Sequence, residues 1–316
     1  MPTTTGLHHI TAISGPPQET LDFYVGGLGL RLVKTTVNFD DPGTYHLYFG
    51  DATGQPGTIL TFFPWPHATP GQTGAGMVQA TAFAIPPASI DYWAERLAAT
   101  GAQRVAEPVQ RFGEPVIRFR DPHGLPLEVI GTSDVEALDG WGNGPVPAEH
   151  AMRGFHSATL ALEATGPTAD VLTGLLGFDA VGEDDGRHRF QGSGDHGQRI
   201  DLVTSGQSTR LGKGTVHHVA FRAQAEAEQA AWQAALRDRG FRVTDVKDRQ
   251  YFKSIYFREP GGVLFEIATD GPGFLRDESE TELGTDLKLP PWLEERRDTI
   301  EQKLPALERM PSRPAQ

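Results

Sequence analysis

The sequence predicts an α+β fold of four βαβββ modules that pair into two open, barrel-like curved sheets, followed by a C-terminal helical tail. Two observations support this prediction. The same order of segments, an alternating strand, a helix ended by glycine and further strands, returns four times with a period of roughly 70 residues. Two of the modules also end in similar turns. A unit of this size supplies only an incomplete sheet, so we expect the modules to pair.

Module one begins with an alternating strand at residues 7–13, and a proline-rich stretch then opens a helix that Gly29 ends. Glycine suits this position because many helices finish with a residue in the left-handed conformation. Strand-like segments at residues 44–49 and 58–63 follow, with a turn rich in glycine between them. Module one therefore contains every segment of the repeating plan.

The other three modules repeat this plan. Their first strands and helices are predicted at residues 78–85 and 90–99 in module two, 155–162 and 168–176 in module three, and 215–222 and 223–239 in module four. The helix-ending glycines are Gly101, Gly177 and Gly240. Twenty residues separate His9 from Gly29, 21 separate His156 from Gly177, and 22 separate His218 from Gly240. This near-constant spacing supports an internal repeat.

Linkers rich in glycine and proline divide the chain further. The linker at residues 139–149 predicts one domain of modules one and two at residues 1–138 and another of modules three and four at 139–270. The tail at residues 271–316 departs from the plan, and we expect it to contain one amphipathic helix at about 291–307. Residues 310–316 are expected to be loose.

Composition excludes several classes of function. A formal charge of -13 without a basic run disfavours nucleic acid, and no apolar run is long enough to span a membrane. The chain has no cysteine, so neither disulfides nor thiolate metal sites can form, and any metal must be held by nitrogen and oxygen. The first residues lack signal-peptide features, which predicts a cytoplasmic protein. The composition fits a monomer or a homo-oligomer.

Histidines and carboxylates recur at the starts and ends of the modules. His9, His156 and His218 lie in first strands, and Glu128, Asp201 and Glu266 lie in last strands. Two imidazoles and one carboxylate on one face suit divalent iron, manganese or zinc, and they leave open positions for substrate and for dioxygen or water. Because side chains alternate along a strand, only one histidine of each His-His doublet can face the same cavity.

The ligand set depends on which modules pair. If module three pairs with module four, the ligands are His156, His218 and Glu266. If module one pairs with module four, the ligands are His9, His218 and Glu266, and His156 lies with Glu128 in the other half of the molecule. Spacing does not decide between the two, although only modules one and four carry a doubled histidine.

With these motifs in place, the chain resembles the vicinal oxygen chelate superfamily, and in particular its ring-cleaving dioxygenases of the hydroquinone type. The resemblance runs almost end to end. It rests on the segments at residues 7–11, 45–49, 153–157, 217–221, 260–266 and 283–288. It implies the pairing of module one with module four, with His9, His218 and Glu266 as ligands of Fe(II), or alternatively of Mn(II), Zn(II) or Ni(II).

The resemblance also implies a group of residues behind and beside the metal. They are His8, Thr11, His217, Arg249 and Tyr256. Tyr256 is expected to hydrogen-bond an oxygen of the substrate or of reduced dioxygen, and Arg249 to neutralise a phenolate. Phe62 and Phe252, with Tyr256, are expected to form a flat apolar pocket for a small aromatic substrate, which reacts with dioxygen.

Two other classes of function stay open on this scaffold. One is a glyoxalase-type lyase or isomerase that uses zinc or nickel, and that chemistry requires a carboxylate base beside the metal. Module one ends in Thr61-Phe62-Phe63, which supplies none. The other is a protein that binds a small molecule without turnover, for which we would expect the ligand residues to be lost.

Overall fold

Two β-sheets dominate the computed structural model, which describes residues 3–100, 102–104, 107–135, 138–194 and 196–308. An eight-stranded sheet combines modules one and four, and a nine-stranded sheet combines modules two and three. We refer to these curled sheets as the first and the second half-barrel. The predicted α+β class and the fourfold repeat are confirmed.

The strands of the first half-barrel are β1 (Leu7–Ser14), β2 (Arg31–Asn38), β3 (Asp41–Gly50), β4 (Ile59–Pro64), β14 (Thr215–Ala223), β15 (Lys247–Asp248), β16 (Lys253–Arg258) and β17 (Leu264–Thr269). Those of the second are β5 (Met77–Ile85), β6 (Gln103–Arg104), β7 (Val109–Arg111), β8 (Glu114–Arg120), β9 (Pro126–Gly131), β10 (Phe155–Leu162), β11 (Asp179–Asp184), β12 (Arg187–Gln191) and β13 (Arg199–Thr204). Strand β7 is an addition to the predicted plan, and it pairs with β8.

Each half-barrel is joined at its centre by the first strands of its two modules. In the first half-barrel β1 and β14 pair antiparallel, and His9 lies opposite Ala220 while Thr11 lies opposite His218. In the second half-barrel β10 and β5 pair in the same way. The structure thus confirms the pairing of module one with module four and rules out the pairing of three with four. Strand pairing crosses the boundary predicted at residue 138, and the division into two domains there stays a prediction.

The helices lie between the first and second strands of the modules. They are α1 (Pro17–Leu21), α2 (Ile90–Ala99), α3 (Gly166–Val171) and α4 (Glu226–Asp238), and α1 and α3 continue as π-helical segments, Asp22–Gly27 and Leu172–Leu176. Gly29, Gly177 and Gly240 have positive φ angles, as predicted for glycines that end helices. Gly101 and residues 310–316, which also carried predictions, lie outside the described residues. None of the described helices is long and apolar enough to cross a membrane.

The tail forms a shorter helix than predicted. A 3₁₀ segment, Pro291–Arg296, leads into α5 (Arg297–Glu301), and the helix ends well before residue 307. Pro305 explains the difference, because a proline disfavours helical geometry at the residue before it. Leu289, Leu293 and Ile300 pack on Val37, so the tail covers the edge strand β2 of its own chain.

Candidate metal centre

Three side chains from three adjacent strands converge at the centre of the first half-barrel. His9 lies on β1, His218 on β14 and Glu266 on β17, and all three are buried. The Nε2 atoms of the two histidines are 3.3 Å apart. Glu266 Oε2 lies 2.9 Å from His218 Nε2 and 3.4 Å from His9 Nε2. These residues form one cluster of three candidate metal ligands among the described residues.

The carboxylate of Glu266 is held at one oxygen and open at the other. Ser254 donates a hydrogen bond to Oε1, whereas Oε2 is buried and has no hydrogen-bond partner among the described residues. A buried, ionised oxygen without a hydrogen bond is costly unless a cation faces it.

His8 orients His9 from behind. His8 Nε2 lies 3.1 Å from the carbonyl oxygen of Thr269, and its Nδ1 lies 2.9 Å from His9 Nδ1. Burial and the adjacent His9 lower the pKa of His8 well below its ordinary value, which favours the neutral ring. Neutral His8 donates Nε2–H to the carbonyl and accepts at Nδ1. His9 therefore carries its proton on Nδ1 and presents an unprotonated Nε2 to the centre.

The second doublet repeats this arrangement. His217 Nδ1 lies 2.8 Å from His218 Nδ1, and burial lowers the pKa of His217 to about 3. Neutral His217 can accept the Nδ1–H of His218, which leaves His218 Nε2 unprotonated and aimed at Glu266. In each doublet the second histidine faces the centre and the first lies behind it.

Tyr256 and Arg249 lie beside the cluster. The Tyr256 ring is 5.8 Å from that of His218, and Arg249 donates its Nε–H to the Tyr256 hydroxyl at 3.1 Å. Arg249 also pairs with Asp40 at 2.9 Å, which fixes the guanidinium from its other side. Burial and the Glu266 carboxylate raise the pKa of Tyr256, so the phenol stays protonated.

Thr11 belongs to a hydrogen-bonded group on the other side of the cluster. Its hydroxyl is 2.9 Å from that of Thr61, and Thr61 is 2.8 Å from His46 Nε2. The Tyr48 hydroxyl lies 2.9 Å from His46 Nδ1. His46, to which the sequence predictions assign no role, thus lies beside the cluster. His46 is partly buried on β3, and burial lowers its pKa well below the ordinary value.

Aromatic rings enclose the cluster, with one correction to the predicted set. Phe252 lies 5.0 Å from the rings of both His8 and His9. Phe62 faces the opposite side of its strand, where it packs on Tyr24 at 4.5 Å in the hydrophobic core. Its neighbour Phe63 takes the predicted place, 4.5 Å from the His46 ring and 5.8 Å from that of His217. The strand alternation explains the difference of one residue.

The three residues fit a divalent metal ion. Bonds of about 2.0–2.2 Å from one ion to nitrogen and oxygen place adjacent ligand atoms about 3 Å apart, which is close to the observed spacing. The open Glu266 oxygen and the unprotonated Nε2 atoms supply three donors on one side. Two histidines and one carboxylate with open positions are typical of non-haem iron, and zinc or manganese accept the same donors.

The second half-barrel corrects the predicted place of His156. By strand register, Ser157 lies opposite Ala82 as His9 lies opposite Ala220, and Ala80 takes the place of His218. His156 is therefore equivalent to His8 and not to His9. Its Nε2 contacts Glu114 at 3.0 Å, and no hydrogen bond or ion pair joins it to Glu128 in the described part of the chain, where Arg111 binds that carboxylate. The spacing to Gly177 had been counted from His156, whereas the position equivalent to His9 is the next residue, Ser157. A shift of one residue changes the face of a strand.

In the second half-barrel, arginines pair with the inward carboxylates, whereas Glu266 of the first half-barrel has no arginine partner among the described residues. Glu128 occupies the position of Glu266 in the register, and Arg111 binds both of its oxygens at 2.6 and 2.9 Å. Asp201 is bound in the same two-pronged manner by Arg189, at 2.9 and 3.1 Å. A guanidinium thus faces Glu128 in the place where a metal ion would face Glu266.

Comparison with known proteins gives relatives along nearly the whole chain. The model of the Glyoxalase/Bleomycin resistance protein/Dioxygenase superfamily matches residues 6–129 and 154–267. "Putative ring-cleaving dioxygenase MhqO" of Bacillus subtilis is 48% identical over 95% of this chain and 96% of its own. "Chlorohydroquinone/hydroquinone 1,2-dioxygenase" of Sphingobium indicum is 36% identical over 93% of this chain and 94% of its own. A crystal structure titled "putative dioxygenase" from Bacillus subtilis has a TM-score of 0.94 at 47% identity, covering 98% of this chain and 99% of its own.

Proposed function

The chain belongs to the Glyoxalase/Bleomycin resistance protein/Dioxygenase superfamily, and from this premise we propose that it is an Fe(II)-dependent dioxygenase that cleaves the ring of a hydroquinone or catechol-like aromatic. The names of its relatives, including one for chlorohydroquinone and hydroquinone, support the reaction and the substrate class. The observation that carries the proposal is the buried cluster of His9, His218 and Glu266, whose Oε2 has no hydrogen-bond partner among the described residues.

His9, His218 and Glu266 would hold the ion. When bound, the ion would supply a Lewis acid for a phenolic oxygen and a redox partner for dioxygen. The first histidine of each doublet sets the tautomer of the second, so both Nε2 lone pairs are available before substrate arrives. Ser254 fixes the carboxylate of Glu266 from behind. Such supporting hydrogen bonds commonly contribute about 10- to 100-fold to metal affinity.

Tyr256 would act as a proton donor to an oxygen in the site. Because Arg249 donates to the Tyr256 hydroxyl oxygen, the hydroxyl hydrogen is free to point toward another acceptor. A phenol oxygen or dioxygen-derived oxygen beside His218 would be such an acceptor. The Arg249 guanidinium lies behind this hydroxyl and would favour negative charge on the substrate.

The surrounding rings would bind and shield the aromatic substrate. Phe252 contacts the rings of the first doublet, and Phe63 contacts His217 of the second. His46 contacts Phe63 and the Tyr48 hydroxyl. Apolar walls with a few directed polar groups are typical of small-molecule sites. They would also limit the entry of water beside the reacting oxygen atoms.

A glyoxalase-type lyase or isomerase is the second candidate. Thr61 takes the register position in module one that Glu266 has in module four, and it bonds to Thr11 and His46. A carboxylate base is therefore missing at this position, which favours the dioxygenase. A non-catalytic binding protein is favoured less, because the ligand residues are all present.

Oxygen uptake after anaerobic reconstitution tests the proposal. The protein is loaded with Fe(II), and oxygen consumption is recorded with hydroquinones and with catechols. We expect substrate-dependent uptake with Fe(II) and none with Zn(II). If neither substrate class consumes oxygen, while Zn(II) or Ni(II) supports lyase activity, the proposed function is wrong.

A further inference from the structure

Arg118 is a partly buried cationic side chain on the inward face of the second half-barrel. It lies on β8 directly opposite Glu128 on β9, so both side chains project from the same face of the sheet. Arg118 is only partly exposed, and its Nε is fully buried without a hydrogen-bond partner among the described residues. A buried donor in this state calls for an acceptor that the protein itself does not supply.

Other residues engage four carboxylates of the second half-barrel, including Glu128, which lies opposite Arg118. Glu128 is bound at both oxygens by Arg111, and Asp201 is bound by Arg189 and also approached by Arg187 at 3.4 Å. Glu114 contacts His156 and Arg189, and Asp184 accepts the backbone N–H of Phe112. No ion pair therefore joins Arg118 to a carboxylate within the described part of the chain.

In the first half-barrel, the position equivalent to Arg118 is occupied by Tyr256. Tyr256 stands opposite Glu266 as Arg118 stands opposite Glu128. Arg249 and Arg111 are also related, because each precedes the residue opposite the glutamate by seven positions. In the first half-barrel the arginine supports Tyr256, whereas in the second it binds the glutamate. The second half-barrel thus presents a cation where the first presents a phenol.

We propose that the second half-barrel binds a small organic carboxylate through Arg118, at a site separate from the candidate metal centre. The planar guanidinium matches the two oxygens of a carboxylate. The carboxylates already on this face disfavour a dianion such as a phosphate monoester by repulsion, and a monoanion is repelled less. Arg187, whose guanidinium is held by Thr159 at 2.6 Å, adds positive charge to the same face.

Nuclear magnetic resonance of arginine Nε–H groups tests the proposal directly. The Arg118 signal is assigned by its absence from the spectrum of Arg118→Met. The full-length protein is then titrated with sodium benzoate and with sodium acetate, and sodium chloride keeps the ionic strength constant. We expect a saturable shift of the Arg118 signal with both carboxylates. Because the shift is read in the unmodified protein, it does not depend on the stability of the variant.

Saturation-transfer signals of benzoate provide the matched comparison. We expect Arg118→Met to raise the half-saturating concentration at least about tenfold, since it removes a charge-assisted hydrogen bond. Arg120→Met should not, because Arg120 already donates to the carbonyl of Gly124. His9→Ala should leave the shift of Arg118 intact, which separates this site from the metal centre.

Three outcomes in the unmodified protein would overturn the proposal. They are the absence of a saturable shift, an equal response to chloride, and saturation by inorganic phosphate without saturation by carboxylates. Loss of the Arg118 shift in His9→Ala would assign the binding to the first half-barrel instead. None of these results depends on ring cleavage, so the proposed function and this inference can fail separately.

Discussion

The first and second half-barrels share one register but neutralise their inward glutamates differently. Glu266 lies opposite Ala220, and Glu128 lies opposite Ala82, in the same relation to the central strands. Glu266 meets two imidazoles and keeps one oxygen without a hydrogen bond. Glu128 meets a guanidinium that occupies both oxygens. Within one architecture, the choice of neighbour decides whether a buried carboxylate is open to a metal or closed by an ion pair.

The two glutamates are expected to contribute differently to the stability of the protein. A buried carboxylate bound by arginine is satisfied within the chain, so removing either partner leaves a buried charge uncompensated. The carboxylate of the first half-barrel is satisfied only in part, which leaves binding energy available for a ligand. Four pairs of register-equivalent or chemically matched residues allow this difference to be tested.

The largest difference is expected in metal binding, between a variant at His9 and variants at Ser157 and His156 on the equivalent strand of module three. His9→Ala should abolish metal binding and ring cleavage, because it removes one of three ligands. Ser157→Ala and His156→Ala should each retain close to one metal ion per chain. Metal analysis after reconstitution and desalting measures the result. Metal retention by His9→Ala equal to that of His156→Ala would contradict the assigned ligand set.

The two glutamates should differ in their effect on the metal-free protein. Glu128→Gln should lower the free energy of unfolding by about 3 kcal/mol, because Arg111 loses the buried charge that it faces. Glu266→Gln should change it by less than about 1 kcal/mol, since no arginine or lysine among the described residues pairs with Glu266. Urea unfolding in the presence of a chelator measures both values. A larger loss in Glu266→Gln would reverse the comparison.

Two tyrosines that each contact an arginine should differ in catalysis. Tyr256→Phe should lower kcat about 100-fold with little change in KM, because the hydroxyl would donate its proton during the reaction. Tyr92 of module two, whose hydroxyl accepts from Arg96 at 3.3 Å, provides the control, and Tyr92→Phe should leave kcat unchanged. Steady-state oxygen uptake measures both. An unchanged kcat in Tyr256→Phe would remove Tyr256 from the proposed mechanism.

The smallest effect is expected on metal affinity when His8, which lies behind the ligand His9, is replaced. His8→Ala should weaken metal affinity about tenfold, because His9 loses the acceptor that fixes its tautomer. His156, the counterpart of His8 in module three, contacts Glu114, and His156→Ala should not alter metal affinity. Competition with a fluorescent chelator measures the affinities. Equal affinities in the two variants would show that His8 does not support the centre.

The sequence was sufficient to predict the repeat and the convergence of the central cluster. The doubled histidines and the late glutamate of module four mark strand positions that the period-two pattern keeps on definite faces. Similarity to a known family then chose between the two pairings, which spacing alone left open. The glycines that end the helices were predictable for a local reason, the left-handed conformation.

The remaining features depend on contacts between segments far apart in the chain. Ser254 and His46 approach the cluster across neighbouring strands, and no local pattern distinguishes them from other polar residues. His156 was assigned one position too far along its strand, because helix spacing does not fix register. The pairing of Arg111 with Glu128 depends on a side-chain contact across 17 residues. Such pairings are visible only once the strands are in register.

Anomalous scattering from crystals grown with Fe(II) under anaerobic conditions would locate the metal ion. We predict one strong peak per chain, bonded to His9 Nε2, His218 Nε2 and Glu266 Oε2, and no peak in the second half-barrel. A peak beside Glu128 or His156, or a Glu266 carboxylate that stays without a metal in crystals of reconstituted protein, would contradict it.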